Sequence, residues 1–245
     1  MPGAKHVGIV AVSAEGAALC YRTFCSEAAE SLGPHAHPEV SLHTFPLAAY
    51  MEPCNRGDWA RAGEMLLDSA AKLASIGAAL LICPDNTLHQ ALDLVRPRAP
   101  LPWLHIAEEV ARSAKERGVK KLGVLGTKLL MEGPVYARPL EAAGIERVIP
   151  NGEDRAKIDE IIFTELVCGR FESVSRRFFQ RAIRRLERAG CDAVALSCTE
   201  IPLLVGEADS PLPVIDSTRT LARAALREAC GLRRGASHCD AVVAR

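Results

Sequence analysis

The 245-residue chain has no surplus of either charge, because 30 Lys and Arg balance 30 Asp and Glu. Binding to nucleic acid through bulk electrostatics needs basic residues in excess to displace counterions, so no nucleic-acid partner is expected. There is no long hydrophobic run either. The longest, Ile76 to Cys83, is interrupted by Gly77 and is far short of the roughly twenty apolar residues of a membrane span. The opening MPGAKHVGIV lacks an apolar stretch of signal-peptide length, so neither a secretory leader nor a membrane is expected. None of the nine cysteines stands in a CxxC pair, which argues against zinc and dithiol redox sites. An odd cysteine count without a leader points to free thiols in a reducing cytoplasm. No His/Cys/Asp cluster has metal-ligand spacing, and no GxGxxG or P-loop pattern follows a strand. Neither a cofactor nor a metal is expected.

What is present is the composition of a globular chain, 49% hydrophobic and 24% charged. Short aliphatic runs alternate with longer helical patterns. The runs predict strands at Val7–Val12, Val40–Phe45, Ala78–Cys83, Leu101–Ile106, Lys121–Leu125, Arg147–Ile149, Ala193–Ser197 and Pro213–Ile215. Between them the spacing predicts helices such as Tyr21–Leu32, Asp58–Ile76, Asn86–Val95, Ala107–Arg117, Asp154–Cys168, Ser173–Ala189 and Thr218–Ala229. This alternation implies an α/β fold with parallel sheets, in which ligands bind beyond the carboxyl ends of strands.

Two segments repeat each other. Gly77-Ala-Ala-Leu-Leu-Ile-Cys-Pro-Asp85-Asn86-Thr87 matches Gly190-Cys-Asp-Ala-Val-Ala-Leu-Ser-Cys198-Thr199-Glu200. Each runs from a helix-ending glycine through an apolar strand to a polar tripeptide. Downstream, Leu101–His105 matches Leu212–Asp216, and Val7–Ser13 loosely matches Leu122–Thr127. The repeat predicts two pseudo-symmetric α/β lobes, each a mainly parallel sheet flanked by helices, with the active site in the cleft between them. The first lobe is expected at 1–105, with the helix at 217–230 packing back on it, and the second at 106–216. The tail 231–245 is expected to be loosely ordered. Asp85 and Cys198 then stand at equivalent strand ends and face each other, an arrangement suited to removing a proton from one face of a carbon and returning one to the other.

The residues at these strand ends carry a family likeness. Ser197-Cys198-Thr199-Glu200-Ile201 is similar to the second-lobe Gly-Cys-Thr-Glu motif of the aspartate/glutamate racemase superfamily. Asn86-Thr87-Leu88-His89 is similar to that superfamily's first-lobe Asn-Thr-x-His. Leu125-Gly126-Thr127, Met131-Glu132 and Arg155-Ala156-Lys157-Ile158 extend the resemblance, which runs from about Lys5 to about Cys230. The chain thus resembles the cofactor-independent amino-acid racemases. The resemblance implies Cys198 as one acid/base group and the residue before Asn86 as the other. That residue is Asp85, where the family typically has Cys and a related branch Thr. In the first loop, Ser13 and Glu15 correspond to the family's Gly-Gly-Met-Ser-like turn, which holds the substrate carboxylate. Lys157 matches a family residue that binds a distal carboxylate, and Arg56 is a substitute cation. The implied enzyme is a homodimer acting on a small amino acid, with an acidic side chain expected. Two other readings stay open: a decarboxylase or cis–trans isomerase of a small dicarboxylic acid using the single Cys, and a catalytically silent small-molecule binding protein.

The chemistry of these residues fits the implied roles. A thiol has a pKa near 8.5, and a helix start beside Cys198 would favour its thiolate. A closed cleft would raise the pKa of Asp85, and Asp is also a favoured cap. Asn86, Thr87, Thr127, Thr199 and Glu200 are short polar groups at strand ends, placed to bind substrate or to cap helices. His89 and His105 read as structural. Cys83, two residues before Asp85 along an extended strand, lies about 6–7 Å from the catalytic position and reads as a core residue.

Overall fold

The computed structural model describes residues 3–232. It contains two four-stranded sheets. The first has β1 (Val7–Ala11), β2 (Val40–Thr44), β3 (Leu80–Ile82) and β4 (Trp103–Leu104) in the order β2-β1-β3-β4. The second has β5 (Lys121–Leu125), β6 (Glu146–Val148), β7 (Ala193–Leu196) and β8 (Val214–Asp216) in the order β6-β5-β7-β8. Every pairing is parallel. The central strands β1, β3 and β7 are buried at every residue, as their unbroken apolar runs require when helices cover both faces of a sheet.

The two sheets agree in register as well as order. The repeat steps from 77 to 190 and from 85 to 198 are both 113 residues. Val7 pairs with Leu80 and Leu122 with Ala193, and Leu80 and Ala193 are separated by that same step. Ile82 pairs with Leu104 and Ala195 with Ile215, again matching positions of the repeat. The packing follows the same rule. A Cβ on Gly8 would lie 3.1 Å from Leu73 Cβ, and one on Gly123 would lie 3.4 Å from Leu186 Cβ. Leu73 and Leu186 are one repeat step apart, so the same close approach of helix to central strand is built in both lobes.

The lobes exchange a helix. The helix Ile106–Glu116 leaves β4, yet its Ala107, Val110, Ala111 and Ala114 share a core with Leu122 and Val124 of β5. The helix Ser217–Cys230 leaves β8, yet its Leu221, Ala222, Ala225 and Leu226 share a core with Val7 and Ile9 of β1. Each fully buried aliphatic side chain contributes roughly 1.5–3 kcal/mol, so each lobe's core is completed by a segment that follows the other lobe. Asn86 adds a polar tie: it donates to Ser217 Oγ at 3.0 Å and accepts from the Tyr136 hydroxyl at 2.7 Å.

Three features differ from the sequence expectations. The first helix starts at Ala14, seven residues earlier than the pattern suggests, because Ser13 caps it by accepting from the Gly16 N–H. The helix expected from Asn86 begins at His89, since Asp85 to Leu88 form a turn held by the Asp85 carboxylate. A helix at Leu47–Asn55 was absent from the expectations, and so were short ones at Lys128–Glu132 and Ile201–Leu204. The helix Ser217–Cys230 closes on Gly231 at φ 63°, and most of the tail 231–245, with Cys239, falls outside the described residues. Among the described residues no helix is long and apolar enough to cross a membrane.

Candidate active site

The carboxyl ends of β1, β3, β5 and β7 open onto one cleft with about 620 Å³ of empty space, part of it open to solvent. Each strand end delivers its own polar group. Ser13 follows β1, Asp85 to Thr87 follow β3, Thr127 follows β5, and Ser197 to Glu200 follow β7, and all of these residues line the cleft. The central pair of strands in each sheet thus supplies the polar floor, consistent with ligand sites beyond strand carboxyl ends.

Glu200 is the hub of this floor. It is buried, at 3% exposure, and its carboxylate accepts three side-chain hydrogen bonds. Cys198 Sγ donates to Oε2 at 3.0 Å, Thr199 Oγ1 donates to Oε2 at 3.0 Å, and Ser13 Oγ donates to Oε1 from the other lobe. A buried carboxylate without donors would be costly, and these three hydroxyl and thiol protons satisfy it without a cation.

The Cys198 thiol is held far above its ordinary range. Burial is the largest cause, followed by the negative charge of Glu200 and the S–H bond to it, with Asp85 adding to the effect. This corrects the expectation that a helix start would favour the thiolate. The helix that follows, Ile201–Leu204, is a single turn, too short to offset burial beside a carboxylate. Asp85 is pushed up to about 6, first by burial and then by Glu200, against the lowering effect of backbone N–H groups. One of those is the Leu88 N–H, which donates to Asp85 Oδ1 at 2.9 Å. Asp85 is therefore both a turn cap and a carboxyl group whose pKa is raised to about 6.

Thr87 and Thr127 meet across the lobes, hydroxyl to hydroxyl, at 2.9 Å, and Thr127 Oγ1 also accepts from the Leu130 N–H at 3.2 Å. Two hydroxyls carry two protons, and their mutual bond uses one. The other is free to donate to a ligand in the cleft. Asn86 lines the cleft too, and its amide is bonded to Ser217 and Tyr136. Those two bonds fix the turn and use only one of the two amide N–H groups.

The remaining expectations divide. His89 Nε2 accepts from the Ile106 N–H at 3.1 Å, so its Nδ1 carries the proton and donates to the Asp85 carbonyl at 2.7 Å. Burial lowers its pKa well below the usual range, and the neutral ring braces the turn from behind. His105 accepts from the Glu108 N–H as a helix cap. Cys83 is buried in the core with Tyr50 and Cys54. Lys157 and Arg56 lie outside the cleft lining. Lys157 pairs with Glu160 at 2.8 Å and Arg56 with Glu52 at 3.0 Å, both on the surface.

Sequence reasoning missed the apolar side of the cleft. Leu47, Tyr50, Met51 and Cys54 line it from the helix Leu47–Asn55, and Leu129, Ile162, Phe163 and Val167 line it from the second lobe. Positions 47, 50, 51 and 54 have i, i+3, i+4, i+7 spacing, the signal that would have found that helix and its inward face.

Gly16 sets the distance between the lobes at the floor. A Cβ there would come within 2.5 Å of Thr199 Cβ and 2.9 Å of Ser13 Oγ. Gly16→Ala is expected to destabilise the protein by about 1–3 kcal/mol through overpacking, read as a fall of several degrees in Tm. An unchanged Tm would mean that the first-lobe helix does not approach Thr199 this closely.

Comparisons with known proteins bear on the family and the fold. Residues 9–225 match the family described as Asp/Glu/hydantoin racemase. The broad specificity amino-acid racemase RacX of Bacillus subtilis (strain 168) is 23% identical over 188 residues, 76% of this chain and 80% of RacX. A candidate Asp/Glu racemase from Yersinia pestis superposes with a TM-score of 0.84 at 33% identity, covering 92% of this chain and 99% of that one. PH1733, an aspartate racemase homologue from Pyrococcus horikoshii OT3, superposes with a TM-score of 0.80 at 28% identity, covering 92% and 99%.

Proposed function

The chain belongs to the Asp/Glu/hydantoin racemase family, and from that premise we propose that it is a cofactor-independent amino-acid racemase in which Asp85 and Cys198 serve opposite faces of the substrate's α-carbon. The observation that carries the reading is their placement: they follow the equivalent strands β3 and β7, one repeat step apart, and line one cleft.

At neutral pH the resting pair is an Asp85 carboxylate, whose pKa of about 6 lies below neutrality, and a Cys198 thiol, whose pKa is raised. Asp85 takes the α-proton from one face. Cys198 gives its S–H proton to the other. The product is the opposite enantiomer, with Asp85 now protonated and Cys198 a thiolate, the form that runs the reaction in reverse. Charge that develops on the α-carboxylate as the proton leaves meets the free hydroxyl proton of the Thr87–Thr127 pair. Glu200 positions the sulfur, and its charge keeps the proton there until the substrate arrives. Ser13 and Thr199 in turn hold Glu200.

Incubation of single enantiomers in deuterated water tests the proposal. The expected result is α-deuterium incorporation with loss of enantiomeric excess. Absence of exchange with every amino acid tried would overturn it, and release of CO₂ from a malonate instead would favour the decarboxylase reading.

A further inference from the structure

The cleft lining has two parts of opposite chemistry. The floor holds two carboxyl groups, Asp85 and Glu200, and several hydroxyls. The rest of the lining is largely apolar and drawn from both lobes: Leu47 and Met51 from the first, Ile162, Phe163 and Val167 from the second. Among the described residues that line the cleft there is no Lys, Arg or His. The two nearby cations suggested by the sequence are on the surface with partners of their own, Lys157 with Glu160 and Arg56 with Glu52.

The charge balance decides what side chain this cleft accepts. An amino-acid zwitterion brings one ammonium and one carboxylate to a floor that already carries Asp85 and Glu200. The ammonium is then the sole positive charge facing these acids. A second carboxylate on the side chain would have to enter the apolar lining with no cation to meet it, and burying an unpaired charge is strongly unfavourable. An aliphatic or aromatic side chain gains instead by leaving water against Leu47, Met51, Ile162 and Phe163.

Resting on the racemase reading above, we propose that the enzyme acts on amino acids with uncharged, apolar side chains, of the leucine, methionine and phenylalanine kind, in preference to aspartate and glutamate. The apolar lining is the specificity-determining surface, and Met51 contributes to it from the helix Leu47–Asn55.

The test is the kcat/KM of racemisation for L-leucine, L-methionine, L-phenylalanine, L-aspartate and L-glutamate, in the full-length protein and in Met51→Arg. The expected result is a preference for the apolar substrates of about tenfold or more, narrowed or reversed in Met51→Arg. Met51 is only partly buried, so an arginine there can be tolerated by the fold; Leu47→Lys, also partly buried, is the second variant. Preference of the unmodified protein for aspartate or glutamate overturns the side-chain proposal while leaving the racemase standing. If no amino acid is racemised, the racemase reading falls, and calorimetric binding of L-leucine against L-aspartate still judges the apolar lining. Tighter leucine supports the proposal; tighter aspartate, or no binding of either, overturns it.

Discussion

Cys198→Ala is expected to lower racemisation by about 10²–10⁴-fold, the range that a positioned acid/base group contributes, with little loss of stability. In the proposed mechanism the sulfur is the proton carrier for one face of the α-carbon. Glu200 keeps its bonds from Ser13 and Thr199 when the thiol is gone, so the buried carboxylate is not stripped of donors. The truncation removes one small buried side chain, a cost of about 1 kcal/mol. Cys198→Ser makes the case sharper. Its hydroxyl can still donate to Glu200, which preserves the floor, yet an alcohol does not take up the acid/base role of a thiol near neutrality. Both variants should lose racemisation while their unfolding transitions stay close to the parent's. Deuterium uptake separates the two faces: exchange of the enantiomer whose α-proton faces Asp85 should outlast that of its antipode. Racemisation at the parent rate in both variants would remove Cys198 from the mechanism.

The sheets were legible in the sequence because buried parallel strands are written as short unbroken aliphatic runs. Ala193 to Leu196 and Val7 to Ala11 can hardly be read otherwise. The repeat was legible for the same reason, and with it the pairing of Asp85 with Cys198. The start of the first helix was hidden because Ala14 to Ala18 has no apolar periodicity, and Gly16, poor in helix propensity, stands there for the sake of Thr199. The helix Leu47–Asn55 was masked by its Pro46 start and internal Pro53, although its inward face has plain helical spacing. The Glu200 hub was not legible at all. Ser13 and Glu200 are 187 positions apart, and nothing local to either says that one will satisfy the other. The thiol's environment was misjudged for a similar reason: a local rule about helix starts pointed to a thiolate, while long-range burial beside a carboxylate favours the protonated form. Lys157 matched a motif by position along the chain, but its helix directs it to Glu160 on the surface.

Asp85→Asn should separate activity from stability in opposite directions. The amide oxygen of the substituted side chain can accept the Leu88 N–H as the carboxylate does, so the turn survives. The amide carries no proton that titrates near neutrality, so racemisation should fall by about 10²–10⁴-fold. Stability moves the other way. In the folded protein Asp85 is raised from 3.8 to about 6, so between those values the folded state binds more protons than the unfolded one. Stability therefore declines as pH rises through that window, and above it the ionised Asp85 is a standing cost of up to about 3 kcal/mol. The neutral amide does not bear this cost. Asp85→Asn should thus be more stable than the parent at pH 8, with the difference shrinking towards zero by pH 4, as read from urea midpoints at the two values. A variant that is less stable at pH 8, or whose advantage does not change with pH, would contradict the raised pKa. The same shift fixes the acid limb of the parent's activity. The working enzyme shares one proton between Asp85 and Cys198, and below about pH 6 the pair gains a second proton, on the Asp85 carboxylate. The kcat/KM should then fall about tenfold per pH unit, and equally in both directions, because the equilibrium constant between enantiomers is one. An enzyme that must keep Asp85 ionised in a partly desolvated cleft gives up stability at neutral pH in order to have a base there, the kind of trade-off expected of catalytic groups on an otherwise well-packed fold.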